Sequence, residues 1–378
     1  MTSPASPSSD RSPLGEVARL FLRLGFTAFG GPAAHIALME EEVVRKRSWV
    51  SHEELVDLIG AVNLIPGPNS TELAIHLGHR RAGWLGLLVA GACFITPSAL
   101  MAGALAWAYV RFGFRPEVAQ MLAGVQPVVL AVVTQALWTL GKVAVKDAAM
   151  LVIALGSFAL GLVGMHELLI LAIAGGAALV ARRTRGSLAV KSCVPLLGAV
   201  LPAAPTTPAV FLVFLKIGSV LFGSGYVLLA FLNQDLVQRT HWLTERQLLD
   251  AVAVGQITPG PVFTAATFVG YLLQGAPGAV AATAGIFLPA FVLVAASGAI
   301  LPRLRASPIA RAILDGVNAG SLALMAAVLI PLGKAALAGP IYALEALVAA
   351  VLLIRFRVGA GWLLGGGAAL GLLAAVVH

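Results

Sequence analysis

The sequence predicts an all-helical integral membrane protein, with about ten to twelve membrane helices in two homologous, inverted halves. Three observations predict it. The charges are too few for a soluble surface, the apolar runs lack a strand period, and the chain repeats itself.

Of the 378 residues, 59% are hydrophobic and 11% are charged. A soluble domain carries about 25% charged residues, so soluble enzymes, nucleic-acid binders, coiled coils and disordered chains are all disfavoured. The net charge of +8 does not argue for nucleic acid as a partner. Its Lys and Arg residues fall in short loops between apolar runs, where they mark topology and the lipid bilayer is the partner. Cys93 lies in an apolar run and Cys193 in a linker, so neither a disulfide framework nor a metal set is implied. No Walker loop, HExxH or CxxC is present, and no cofactor, metal or catalytic residue is expected.

Apolar runs recur from 14–29 to 359–377, several of them interrupted by Gly or Pro. None alternates with the period of two that a transmembrane barrel needs, which leaves helices as the spanning element.

The repeat emerges when the sequence is shifted by 193. Phe21 then meets Phe214, Phe29 meets Phe222, Trp49 meets Trp242 and Asp57 meets Asp250. The triplet Pro66-Gly67-Pro68 meets Pro259-Gly260-Pro261. After one deletion the shift is 192, and Pro97 meets Pro289 while Gly124 meets Gly316. Apolar bias does not align Trp, Asp and Pro-Gly-Pro at one offset. The organisation is therefore a disordered polar tail (1–13, Pro/Ser-rich and without a signal-peptide core), a first repeat (14–182), a linker (183–207) and a second repeat (208–378).

The basic loops change sides between the halves. Arg80 and Arg81 have no basic counterpart near 272–276, and Lys142 and Lys146 face only Lys334. Arg111 and Arg115, by contrast, match Arg303, Arg305 and Arg311. The bias predicts inverted halves, with 80–81, 142–146 and 303–311 on the cytoplasmic side. Inversion needs an odd crossing between the repeat starts, from re-entrant segments or from a short crossing in 187–207.

The candidate site follows from the broken helices. Two prolines flanking Gly67 or Gly260 inside an apolar run unwind it. The helix that resumes exposes partnerless N–H groups and a positive dipole end, which suit an anion. Asn69, Ser70 and Thr71 can add donors in the first half, and Thr258 and Thr264 in the second. The plainer reading of 69–72 is a capping box, with Asn69 as N-cap and Glu72 three residues on. A second pair of breaks is expected at Gly30-Gly31 and Gly223-Ser224, where close helix packing is the plainer alternative. Arg23 and Lys216 match across the halves and could face an anion or snorkel to the interface.

Asp57 and Asp250 could couple to protons or merely begin their helices. Glu72 and His76 are four apart, on one helix face, and a Glu–His pair in a membrane can relay protons. It has no counterpart at Ala265 and Val269. His35 reads as structural, and the stretches 39–53 and 232–246 as amphipathic surface segments.

Together these residues resemble the chromate ion transporter family in its long, two-domain form, over nearly the whole chain. The resemblance rests on the 29–32 and 222–225 motifs, Trp-(Val/Leu)-(Ser/Thr) at 49–51 and 242–244, and both PGP stretches with Asp57 and Asp250. It implies a multi-pass inner-membrane secondary transporter that exports chromate and confers chromate resistance. Membrane potential, a proton gradient or both would drive it. A sulfate-like oxyanion remains an alternative substrate and a passive anion channel an alternative mechanism; a homodimer stays open. Asn69-Ser-Thr-Glu72 departs from Val262-Phe-Thr-Ala265, so the halves need not play the same part.

Overall fold

The computed structural model describes residues 12–29, 31–113, 115–183, 204–222 and 225–377, and they are helical almost throughout, with no strand among them. The first half runs α1 (Pro13–Thr27), α2 (Gly31–Glu40), a π-helical stretch (Glu41–Lys46), α3 (His52–Val62), α4 (Asn69–Phe112), α5 (Pro116–Ala144), α6 (Ala148–Leu162) and α7 (Glu167–Arg183). The second half repeats that order. Its elements are α8 (Thr207–Val220), α9 (Leu228–Leu232), a π-helical stretch (Asn233–Arg239), α10 (Glu245–Ile257), α11 (Ala265–Ala306), α12 (Pro308–Ala336), α13 (Pro340–Arg355) and α14 (Ala360–Val377). Even the π-helical stretches match.

The apolar runs divide into two kinds. Four helical stretches are long and apolar enough to cross a membrane: Asn69–Phe112, Pro116–Ala144, Val262–Ser297 and Pro308–Ala336. Others are half-length. The 15 residues of α1 span about 22 Å at 1.5 Å each, short of a hydrocarbon core of about 30 Å.

The chain enters and returns. Arg81 at the turn inside α4 holds Glu16 near the start of α1 at 2.6 Å, and its guanidinium sits 5.4 Å from the centre of the Trp49 ring. Arg80 holds Glu54 near the start of α3 at 2.8 Å. The outer ends of α1, of the first π-helical stretch and of α3 thus lie at one level. The breaks after α1 and α3 lie at the inner ends of those helices, away from that level.

α4 is itself a hairpin. Gly83, at φ +62°, reverses the chain after Ala82, and Gly275, at φ +60°, does the same after Gln274 in α11. A Cβ on Gly78 would collide with the backbone of Gly86 and the side chain of Ala90; Gly270 stands likewise against Gly278 and Ala282. Thr267 and Thr283 share a 2.7 Å hydroxyl bond across the second hairpin. Close approach through small residues is what holds helices together in lipid, where burial against another helix gains no hydrophobic drive.

Equivalent helices run antiparallel. Lys146, just past the end of α5, bonds Asp315 near the start of α12 at 2.8 Å. At the other end Ala119 and Gln120 share a cavity wall with Ala335 and Ala338. The two halves are therefore inverted. They are also interleaved, because α6 and α7 pack on α12 while α13 and α14 pack on α5. Of the stretch 187–207, where a short crossing could fall, residues 187–203 lie outside the described residues, and Thr207 begins α8.

Candidate substrate site

The breaks of the two halves bond each other in a symmetric exchange. The Gly67 N–H donates to the Leu221 carbonyl at 2.8 Å, and the Gly260 N–H donates to the Ala28 carbonyl at 2.8 Å. Leu221 is the counterpart of Ala28, and Gly260 that of Gly67. Each PGP turn is thus seated on the first break of the other half. Ser98 and Thr264 add a 2.7 Å hydroxyl bond between the halves.

A cavity of about 750 Å³ ends on these breaks. Three helix starts line it: Pro32 and Ala33 of α2, Asn69 and Ser70 of α4, and Val262 and Phe263 in the 3₁₀ turn that leads into α11. The first N–H groups of a helix lack intrahelical partners and carry the positive end of its dipole. Asn69 does not cap its helix; Pro68 precedes it without a side-chain cap, and the Asn69 amide donates to Asn63 Oδ1 at 2.6 Å. Asn63 also lines the cavity. At the mouth stand Lys146, Arg311 and Asp315.

His35 joins the two breaks of the first half. Its ring bonds Ser70 Oγ at 3.2 Å and the Ala28 carbonyl at 3.0 Å, and it is 1% exposed. It fixes Ser70 relative to the neighbouring break, a role for which the sequence carried no signal beyond proximity to a glycine pair.

The other expected site residues divide. Thr71 and Glu72 are fully buried behind the cavity wall, and neither the Thr71 hydroxyl nor the Glu72 carboxylate has a hydrogen-bond partner among the described residues. The carboxylate folds back onto Gly67, where any side chain would collide with it. His76 is buried one turn further on. Thr258 and Thr264 donate to the backbone, to Val254 and Pro261, and do not line the cavity. Gly31 starts α2 at φ +78°; Gly30, Gly223 and Ser224 lie outside the described residues.

Arg23 and Lys216 are both committed to acids. Arg23 meets Glu42 at 2.5 Å, together with Lys46 and Arg47. Lys216 meets Asp235 and Glu167, each at 2.8 Å, and Arg239 closes the square on the same two acids. Glu42 and Asp235 are counterparts at the offset of 193, so their match was available in the sequence. Both lie in stretches whose charge pattern reads as amphipathic surface, yet both are buried. Asp57 and Asp250 do not begin their helices. Capping boxes at Ser51 and Thr244 do that, and the two acids sit in mid-helix.

The chromate transporter family profile matches residues 15–180 and 208–372, the two halves in turn. The chain belongs to the chromate transporter family. It is 32% identical to the chromate transport protein of Cupriavidus metallidurans, over 96% of this chain and 93% of that protein. It is 35% identical to the chromate transport protein of Pseudomonas aeruginosa (83% of this chain, 80% of the other). It is also 30% identical to a probable chromate transport protein of Synechococcus elongatus, over 86% of each. No solved structure matches. As a chromate transporter family member the chain is a multi-pass membrane transporter and not an enzyme.

Proposed function

We propose that the protein is an inner-membrane secondary transporter that exports chromate from the cytoplasm. The observation that carries this reading is the cavity whose inner end is made of helix starts with Asn63, Asn69 and Ser70. A tetrahedral dianion there accepts N–H, amide and hydroxyl hydrogen bonds without a fixed cation to hold it. The mouth supports the direction. Lys146, Arg311 and, nearby, Arg182 on Asp315 place basic residues on the open side, which the positive-inside rule makes cytoplasmic. An inside-negative potential favours exit of an anion by about 2.3 kcal/mol per charge per 100 mV.

Glu72 supplies a coupling group. It is buried, lies against the PGP turn and exists in one half only. Its protonation would change the charge directly behind Asn69 and Ser70.

Labelled chromate flux in proteoliposomes, with potential and pH gradient set separately, tests the reading. Accumulation driven by a pH gradient at zero potential is expected, with sulfate as a competitor. Dissipation of gradients without accumulation would indicate a passive channel. Asn69→Ala should lower flux about tenfold at unchanged protein level, the loss expected when a charge-assisted hydrogen bond of about 1.5 kcal/mol or more is removed. Glu72→Gln should remove the response to the pH gradient and leave flux driven by potential; an unchanged pH response would remove Glu72 from coupling.

A further inference from the structure

α3 and α10 are the same element in the two halves, yet they sit differently. α10 is buried continuously from Leu248 to Gly255 and packs on α5, α12, α14 and α11. α3 buries only Leu55, Ala61 and Val62, and its one substantial helix partner among the described residues is α4.

A polar latch holds α10 in place. Asp250, 3% exposed, accepts from Gln126 Nε2 at 3.0 Å and from the Tyr109 hydroxyl at 3.0 Å. Both donors belong to the first half. The matching positions for Asp250, Gln126 and Tyr109 are Asp57, Asn318 and Leu301. Asp57 is exposed, and Asn318 lines the large cavity.

The two faces differ accordingly. Beside the latch the pocket is about 330 Å³ and ends at Asp250 and Gln126. On the opposite face the cavity is about 750 Å³ and continues past Asn318 to Asn69. One sequence pattern, used twice in inverted orientation, is shut on one face and open on the other.

We infer that Asp250–Gln126 and Asp57–Asn318 are alternating latches. With Asp250 latched, the site opens past Asn318. In the opposite state α3 closes on α12, Asp57 accepts from the Asn318 amide, and α10 withdraws from α5. The latches are unequal in sequence, because the position that matches Tyr109 is a leucine, a residue type without a hydroxyl. The state with Asp250 latched is therefore the resting one. This inference rests on the transport reading, since only a transporter needs both states.

The test uses the full chain in proteoliposomes, with Cys93 and Cys193 replaced by serine. One variant carries Asp250→Cys with Gln126→Cys, the other Asp57→Cys with Asn318→Cys, and each is treated with a short bifunctional thiosulfonate. The first pair should cross-link at rest and stop chromate flux until reduced. The second should cross-link several-fold faster with chromate on both sides than without it, and should then protect a cysteine at Thr139, on the wall of the large cavity, from a water-soluble maleimide. A second pair that never cross-links, beside an unmodified protein with normal flux, overturns the latch and leaves transport standing. Cross-linking of both pairs in a protein without flux overturns transport and leaves the latch. Should a cysteine pair fail to fold, Tyr109→Phe gives the same answer: maleimide labelling at Thr139→Cys should fall several-fold, and unchanged labelling overturns the inference.

Discussion

Gly260→Ala is expected to abolish chromate flux while the protein still reaches the membrane at near-normal level. Gly260 has φ +84°, and its N–H makes the 2.8 Å bond to Ala28 that seats the second PGP turn on the first half. A Cβ there would lie 3.0 Å from the Ser98 Cβ and 3.2 Å from the Gly25 carbonyl oxygen. A side chain in this backbone region costs about 1–3 kcal/mol, less than a typical fold stability of about 5–15 kcal/mol. The chain folds, but the turn must shift away from Ala28. The cavity end is built on that turn, and a displacement of this kind spoils hydrogen-bond geometry that tolerates only a few tenths of an ångström. Gly176→Ala is the control, because a Cβ at that helical glycine meets nothing within 4 Å. Flux and immunoblot of membranes read both variants. An active Gly260→Ala protein would show that the seating of the two turns does not matter for transport.

Lys216→Met is expected to lose folded protein rather than transport alone. Its ammonium lies against Asp235 and Glu167, which are 0% and 1% exposed. With Arg239 the four groups carry two charges of each sign. Removing one partner of a buried pair strands the other charge and costs about 3–5 kcal/mol, whereas replacing both partners by apolar groups is often nearly neutral. Lys216→Met with Asp235→Leu keeps the Glu167–Arg239 pair and should recover most of the single variant's loss. Thermal stability of the solubilised protein, read by size-exclusion chromatography after heating, checks the order. If Lys216 instead held the substrate, the single variant would be stable and inactive, and the double variant would gain nothing.

The repeat, the PGP breaks and the inversion were legible in the sequence, because Trp, Asp and Pro-Gly-Pro cannot align by composition and because basic loops report sidedness. The re-entrant course of α1 to α3 was legible only as one of two ways to supply the odd crossing, and the sequence did not choose between them. Hydropathy measures how apolar a run is and carries no record of whether the chain continues across or turns back. Asn69 and Ser70 were legible as cavity residues, since a helix start after a proline break exposes its own side chains. Thr71, one position on, was not separable from them, because a 100° step on the helix carries it behind the wall. The amphipathic stretches hid Glu42 and Asp235. Their charges suggested water, and cations brought in from α1 and α8, added to the local Lys46, Arg47 and Arg239, make their burial tolerable. The polar latch drew on three separate elements; Gln126 and Asn318 match at the offset of 192, but a matched amide in an apolar run has no meaning until Asp250 is placed beside it.

The exchange of terminal hairpins sets a limit on how this architecture can be divided. The wall that α6 and α7 provide belongs to α12, and the wall that α13 and α14 provide belongs to α5. A half-length chain would therefore expose the face of its own α5 or α12 and carry a hairpin with nothing to cover. Two such chains complete each other only if they insert in opposite orientations. One chain that carries both halves has that opposed pairing built into it.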